Sequence, residues 1–189
     1  MFLRSAKQYI IAIILALALC YCNIGRAQSI FQTTNGKISF SSEAPLELIR
    51  ASSNELAGLL DNDKKTFSFK INIRSFEGFN SPLQREHFNE NYMESDKFPQ
   101  ASFSGKIIEE VDFSKDGEYE VRAKGNLTIH GITQERIIKT NVSVKNKKIT
   151  ITGKFSVLLS EHNIPIPIVV YKKLANEIKV EVNTTLEPR

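Results

Sequence analysis

Residues 118–129 alternate without a break. Tyr119, Val121, Ala123, Gly125, Leu127 and Ile129 share one parity, and Glu118, Glu120, Arg122, Lys124, Asn126 and Thr128 share the other. A period of two sustained this long sends successive side chains to opposite faces of a pleated strand, one apolar and one charged. A helix would spread both sets around its circumference.

The same pattern recurs along the chain. Phe67, Phe69, Ile71 and Ile73 stand against Ser68, Lys70, Asn72 and Arg74; Ile149, Ile151, Gly153, Phe155 and Val157 stand against Lys148, Thr150, Thr152 and Lys154. Shorter matches are Ile38 with Phe40, the set Ile138, Thr140, Val142 and Val144, and the set Ile178, Val180, Val182, Thr184 and Leu186. The segment around Phe103 and Ile107 is weaker, and SSNELAGLL at 52–60 reads either as a capped helix or as an irregular strand, the strand being preferred. Polar turns such as Asp61-Asn62-Asp63, Lys115-Asp116-Gly117 and Lys145-Asn146-Lys147 separate these runs, which makes them antiparallel hairpins. Residues 80–93 break the pattern: Ser81 as N-cap, Pro82 at the first helical position and Gln84 in a capping box predict a short helix or a pair of helical turns. The proline-bearing run 164–170 reads as an extended loop or edge segment.

Such strands either stack as a sandwich or close. Their length favours an all-β, antiparallel up-and-down barrel of eight strands with a short helical segment, whose interior holds one small ligand. Strand parity assigns Phe40, Phe67, Phe69, Ile71, Ile73, Phe103, Tyr119, Val121, Leu127, Ile129, Phe155 and Val157 to the lumen lining. Ala123, Gly125 and Gly153 share that face, and small residues there mean either a void or a bend in the strand. The alternative orientation, apolar faces toward lipid, is disfavoured by the helical segment and by a composition with no Trp and only 5 Tyr to build interfacial girdles.

The first 27 residues carry Arg4 and Lys7, then 14 apolar positions from Tyr9 to Cys22, then small residues at Gly25 and Ala27. This is a signal peptide cut near Ala27, leaving 28–189 as one exported domain, periplasmic or secreted, with no stable membrane insertion. The run is short of the roughly 20 residues of a spanning helix, although an uncleaved anchor is the alternative. Acylation of Cys20 or Cys22 is disfavoured by the bulky Leu19 and Tyr21 before them. Both cysteines of the chain lie in this leader, so the expected mature domain has neither disulfide nor thiolate chemistry. Three of the 25 basic residues and none of the 21 acidic ones lie there too, leaving 28–189 at +1. A nucleic-acid partner therefore lacks its electrostatic footprint.

Chemistry-bearing motifs are few. His87, His130 and His162 are the only histidines, with no HxH or HxxxH spacing. A metal- or haem-linked redox accessory protein or enzyme would need them to converge, and is the alternative reading. His130 precedes Gly131 at a strand end, so it is expected to be a turn histidine bonded to nearby backbone. No GxSxG elbow supports a hydrolase. A third reading is an interaction module with a closed interior.

Two segments taken together, HFNENYMESDKFPQASFSGKI at 87–107 and GNLTIHGITQERIIKTNVSV at 125–144, resemble the YceI-like family of exported bacterial lipocalin-like barrels. The shared features are Phe98-Pro99 with Phe103 after it, and downstream Gly-x-Leu-Thr-x-His-Gly-x-Thr. The resemblance covers nearly all of 28–189. It implies an elongated apolar cavity that takes an isoprenoid or other long-chain amphiphile, with no established catalysis and no cofactor. SFEGFNSPLQREHF at 75–88 departs from the acidic stretch usual there. Arg74 and Arg85 are candidate partners for an anionic headgroup, and a homodimer is possible.

Overall fold

The computed structural model describes residues 30–189. The signal-peptide assignment lies outside the described residues. Strands β1 (Ile30–Glu43), β2 (Leu48–Asp61), β3 (Thr66–Asn72), β4 (Gln100–Ile107), β5 (Gly117–Ile129), β6 (Ile132–Lys145), β7 (Lys148–Leu158) and β8 (Glu177–Pro188) each pair antiparallel with the next. β8 returns to β1, with Phe40 opposite Val180 and Ser42 opposite Ile178, so the sheet closes. Closure gives every strand two partners and leaves no edge. The eight-stranded up-and-down barrel expected from the alternation is the observed fold.

The apolar parity faces inward. Outside, charges pair across neighbouring strands, Lys154 with Glu181 at 2.7 Å and Lys148 with Glu187 at 2.6 Å. A lipid-spanning barrel needs an apolar band there instead.

Alternation is not perfect in the first hairpin. Phe31 and Thr33 are buried on odd parity, whereas Gly36 and then Ile38 and Phe40 turn inward on even parity. In β2 the switch falls between Ser53 and Leu56, and the β1–β2 register shifts in the same region. This bulge explains why SSNELAGLL is ambiguous as a sequence: the strand changes face at Asn54-Glu55.

One end of the barrel is sealed. The segment 108–116 lays Phe113, 0% exposed, across it against Phe31, Leu60, Ile149 and Leu186. Asn62 in the β2–β3 turn accepts the Phe113 N–H at 2.9 Å, and its amide reaches Asp112 at 3.4 Å. At the other end the chain rises into a rim. β3 stops at Asn72, whose side chain accepts the Arg74 N–H at 3.0 Å and starts a 3₁₀ turn. Ile73, expected to continue the strand, is therefore the first residue of that turn.

Helix α1 (Pro82–His87) begins as predicted, with Ser81 accepting the Gln84 N–H at 3.2 Å. The Gln84 side chain returns to Asn80 rather than to the cap residue itself, at 3.0 Å. A π-helical turn, Phe88–Tyr92, continues it. Between β7 and β8 the proline-bearing segment 163–176 forms a strap over the rim.

Candidate functional site

The barrel encloses a cavity of about 560 Å³ lined almost wholly by apolar side chains. That lies within the roughly 300–1,000 Å³ of small-molecule sites. Near the plug the walls are Leu60, Phe67, Phe103, Phe113, Val121 and Val142; toward the open end they are Phe40, Ile71, Leu127, Ile129, Phe155 and Val157, with Phe69 and Ala123 between.

Ten of the twelve residues assigned to the lumen by parity thus line it, and two do not. Ile73 packs beneath the rim with Met93, Leu159, Ile164 and Ile178, because its backbone has left the strand. Tyr119 belongs to the plug: its ring meets Phe113 edge-on at 6.1 Å and its hydroxyl donates to the Lys115 carbonyl at 3.0 Å. The small inward residues divide the same way. Ala123 and Gly153 face the cavity, but Gly125 does not. A Cβ at Gly125 would sit 2.3 Å from the Ser104 oxygen, so this glycine marks close contact between β4 and β5, not a void.

Parity could not find the aromatic rim. Phe40 stands 5.3 Å from both Phe76 and Phe88, Phe79 lies 5.0 Å from Phe88, and all four line the opening. Phe76, Phe79 and Phe88 sit on turns and the helical segment, where a period of two has no meaning. The available signal was three phenylalanines within 75–88.

Polar groups in the lining are few. Ser42 is committed, its hydroxyl accepting the Ala175 N–H at 2.9 Å. Glu47 accepts from the Gln84 amide at 2.8 Å. Tyr92 faces the cavity, and burial alone pushes its phenol up from the ordinary value. The lining cations are Lys70 and Lys173. Arg74 and Arg85 are turned elsewhere: Arg74 bonds Ser95 at 3.1 Å and Asp96 at 2.5 Å, and Arg85 donates to the Arg74 carbonyl at 3.0 Å.

The histidines do not converge into one site. His87 stands exposed on α1 beside the opening. His130, with φ 51°, and Gly131, with φ 72°, form the two-residue β5–β6 turn, as expected for a hairpin. Its bonding partners are distant rather than local: one ring nitrogen donates to the His162 carbonyl at 3.0 Å and the other meets the Glu94 carboxylate at 2.7 Å. His162 is fully buried, and burial lowers its pKa below the usual imidazole value. Among the described residues no group of three His, Cys, Asp or Glu side chains is placed to hold a metal.

The YceI-like domain family model matches residues 24–186. The chain belongs to the YceI-like family. No curated protein matches its sequence. Among solved structures, it is similar to a polyisoprenoid-binding domain from Saccharophagus degradans implicated in plant cell wall breakdown, with a TM-score of 0.72 at 12% identity over 86% of this chain and 100% of that one. It is also similar to BcnA of Burkholderia cenocepacia, with a TM-score of 0.65 at 16% identity over 80% and 95%. The Campylobacter jejuni YceI protein is a more distant likeness, with a TM-score of 0.52 at 16% identity over 67% and 75%. At such identities the likeness is one of fold. Within this YceI-like barrel, the aromatic rim at 76–88 and the plug at Phe113 come from the chain's own residues.

Proposed function

We propose that this protein is an exported, cofactor-free binding protein that holds one long-chain apolar amphiphile, an isoprenoid or a long acyl chain, in its lumen for carriage or storage. The observation that carries the reading is the apolar cavity of about 560 Å³, sealed by Phe113 at one end and ringed by Phe40, Phe76, Phe79 and Phe88 at the other. Family membership and the likeness to a polyisoprenoid-binding domain support it. Burial of a hydrocarbon chain along such a wall is favourable by about 25 cal/mol per Å². The few polar groups at the opening, Tyr92 and Lys173 among them, are the candidates to meet a headgroup. Binding without turnover is the reading that family membership favours. Export rests on the leader.

Native mass spectrometry of residues 28–189 recovered from a bacterial periplasm tests this. A mass adduct that denaturation releases and organic extraction identifies as an isoprenoid or long acyl species is the expected result. A protein that arrives empty, and stays empty when such lipids are offered, contradicts the reading.

A further inference from the structure

Ten large apolar side chains are exposed among the described residues, and six of them gather at the open end. Leu46 and Leu48 lie on the β1–β2 hairpin, Leu83 on α1, and Ile168, Val169 and Tyr171 on the strap. Ile168 and Val169 are 86% and 88% exposed. The other four, Ile30, Leu59, Ile108 and Ile137, lie on the wall and at the sealed end.

Hydrogen bonds join the three segments into one rim. The Leu46 N–H donates to the Lys172 carbonyl at 2.9 Å, the Asn80 amide to the Leu48 carbonyl at 3.0 Å, and the Gln84 amide to Glu47 at 2.8 Å. Each segment also supplies lumen lining, through Ile49, Leu83 and Val170. The exposed fringe therefore surrounds the opening itself.

The strap sorts its own residues. Ile164 is buried, and Ile166 and Leu174 pack beneath it, while the 3₁₀ turn Ile168–Val170 lifts Ile168 and Val169 outward. The carbonyls of Pro167, Ile168 and Val170 are all taken by N–H groups farther along the strap, and Pro165 and Pro167 have no N–H to leave unpaired. The N–H groups of Ile168 and Val169 and the Val169 carbonyl have no hydrogen-bond partner among the described residues, so the side chains of this tip, not its backbone, are the part that leaves water for an apolar medium.

Charge favours one such medium. Residues 163–176 carry Lys172 and Lys173 and no carboxylate. On the neighbouring segments Arg50 adds a cation, Glu43, Glu77, Glu94, Asp96 and Glu161 pair with Lys179, Arg85, Lys97, Arg74 and Arg136, and Glu47 is held by Gln84; Glu86 and Glu90 are the exposed acids of the helical segment, so the positive excess is local to the strap. Aliphatic tips flanked by a tyrosine and lysines are the composition of a surface that lies at a lipid interface.

We infer that this rim docks on an anionic lipid bilayer. Leu46, Ile168 and Val169 enter the acyl boundary, Lys172 and Lys173 lie among the headgroups, and the lumen opens onto the membrane. A lipid then passes between bilayer and lumen without crossing water. Only that last consequence rests on the proposed lumen ligand.

The eight strands of the closed barrel lie within 30–188, so residues 28–189 carry the whole barrel without the apolar run 9–22. Flotation of this protein with vesicles of phosphatidylcholine and phosphatidylglycerol is the test, run beside uptake of parinaric acid from solution. Wild type is expected to float, less at high salt, and Leu46→Ser/Ile168→Ser/Val169→Ser to lose about tenfold or more in vesicle affinity. Lys172→Glu is expected to weaken flotation as well. None of these four positions lines the lumen, so parinaric acid uptake is expected to be unchanged in both variants. Absence of flotation, or equal flotation of wild type and the triple variant, overturns the inference. A concentration-dependent wild-type dimer that the triple variant loses, without flotation, overturns it in favour of self-association. Flotation without parinaric acid uptake upholds docking and counts against the lumen reading alone.

Discussion

Glu94 and His130 both hold the left-handed backbone conformation, at φ 41° and 51°, which residues other than glycine rarely adopt. Their side chains meet at 2.7 Å, and the His130 ring also packs edge-on to Phe98 at 4.7 Å. With its other nitrogen on the His162 carbonyl, this one ring fastens the 88–98 segment, the β5–β6 turn and the start of the strap. His162 lies buried beside this junction. Burial depresses its pKa, Arg136 and His130 push the same way, and the Ile132 and Ile129 carbonyls oppose them. The folded protein keeps it neutral while the unfolded chain binds a proton near pH 6.5, so its contribution is intact above about pH 6.5 and is lost as pH falls below that value. Carboxylates with lowered pKa values, such as Asp112 at about 2, stay ionised through this window and do not imitate the effect. Melting temperatures at about pH 7.5 and about pH 5.5 should therefore separate wild type from His162→Gln, with wild type losing more. An equal loss would mean that the proton is taken up elsewhere.

At the scale of elements, the strands were legible because each has one dry face and one wet one. β5 to β8 keep one parity from end to end, and the bounds of β5, β7 and β8 lie close to those the alternation implies, whereas β6 begins at Ile132, six residues before the run read from Ile138. β1 and β2 were harder to read because both change face within the first hairpin, and β3 was read one turn too far because Asn72 caps a turn that no periodicity announces. The lumen residues on regular strands were legible for the same reason, whereas Phe76, Phe79 and Phe88 were not. Where the rim needs aromatics it takes them from turns, and their convergence depends on how the helical segment folds back over the opening. Gly125 shows the converse limit: as a sequence it reads as either a void or a bend, and in the barrel it is a tight contact. Gly105 lies opposite it in register, and a Cβ there would come 2.1 Å from the Lys124 carbonyl oxygen. Backbone cannot yield as a flexible side chain does. Gly105→Ala is expected to destabilise the barrel by about 1–3 kcal/mol in urea unfolding. A change within a few tenths would mean that β4 and β5 separate at little cost, and that the two glycines are spacers after all.

At the scale of the whole molecule the barrel is a vessel with one end closed. The plug is built from β-turn chemistry: Asn62 holds the Phe113 backbone, the Lys65 ammonium reaches the Asn62 carbonyl at 2.5 Å and lies 5.6 Å from the Phe113 ring, and Phe113 fills the floor. The rim has the aromatic ring, the exposed apolar fringe and the lysines. A hydrocarbon tail entering at the rim therefore advances toward Phe113 with its headgroup left behind at the opening. Such a geometry predicts a length rule. Each added methylene that finds wall to cover contributes about 0.8 kcal/mol, roughly a fourfold gain in affinity, until the tail meets the plug. Beyond that length further methylenes remain at the opening and gain little. Dissociation constants for a homologous series of fatty alcohols should fall steeply and then level off. Phe113→Ala removes the floor, and although it is expected to cost about 3–5 kcal/mol of stability, the variant that remains folded should level off at a longer chain. The shift of the break is the informative readout, because weakened packing alone would lower all affinities without moving it. A series with no break, in wild type or variant, would mean that the chain does not lie along the barrel axis and that the plug has no part in setting what the lumen accepts.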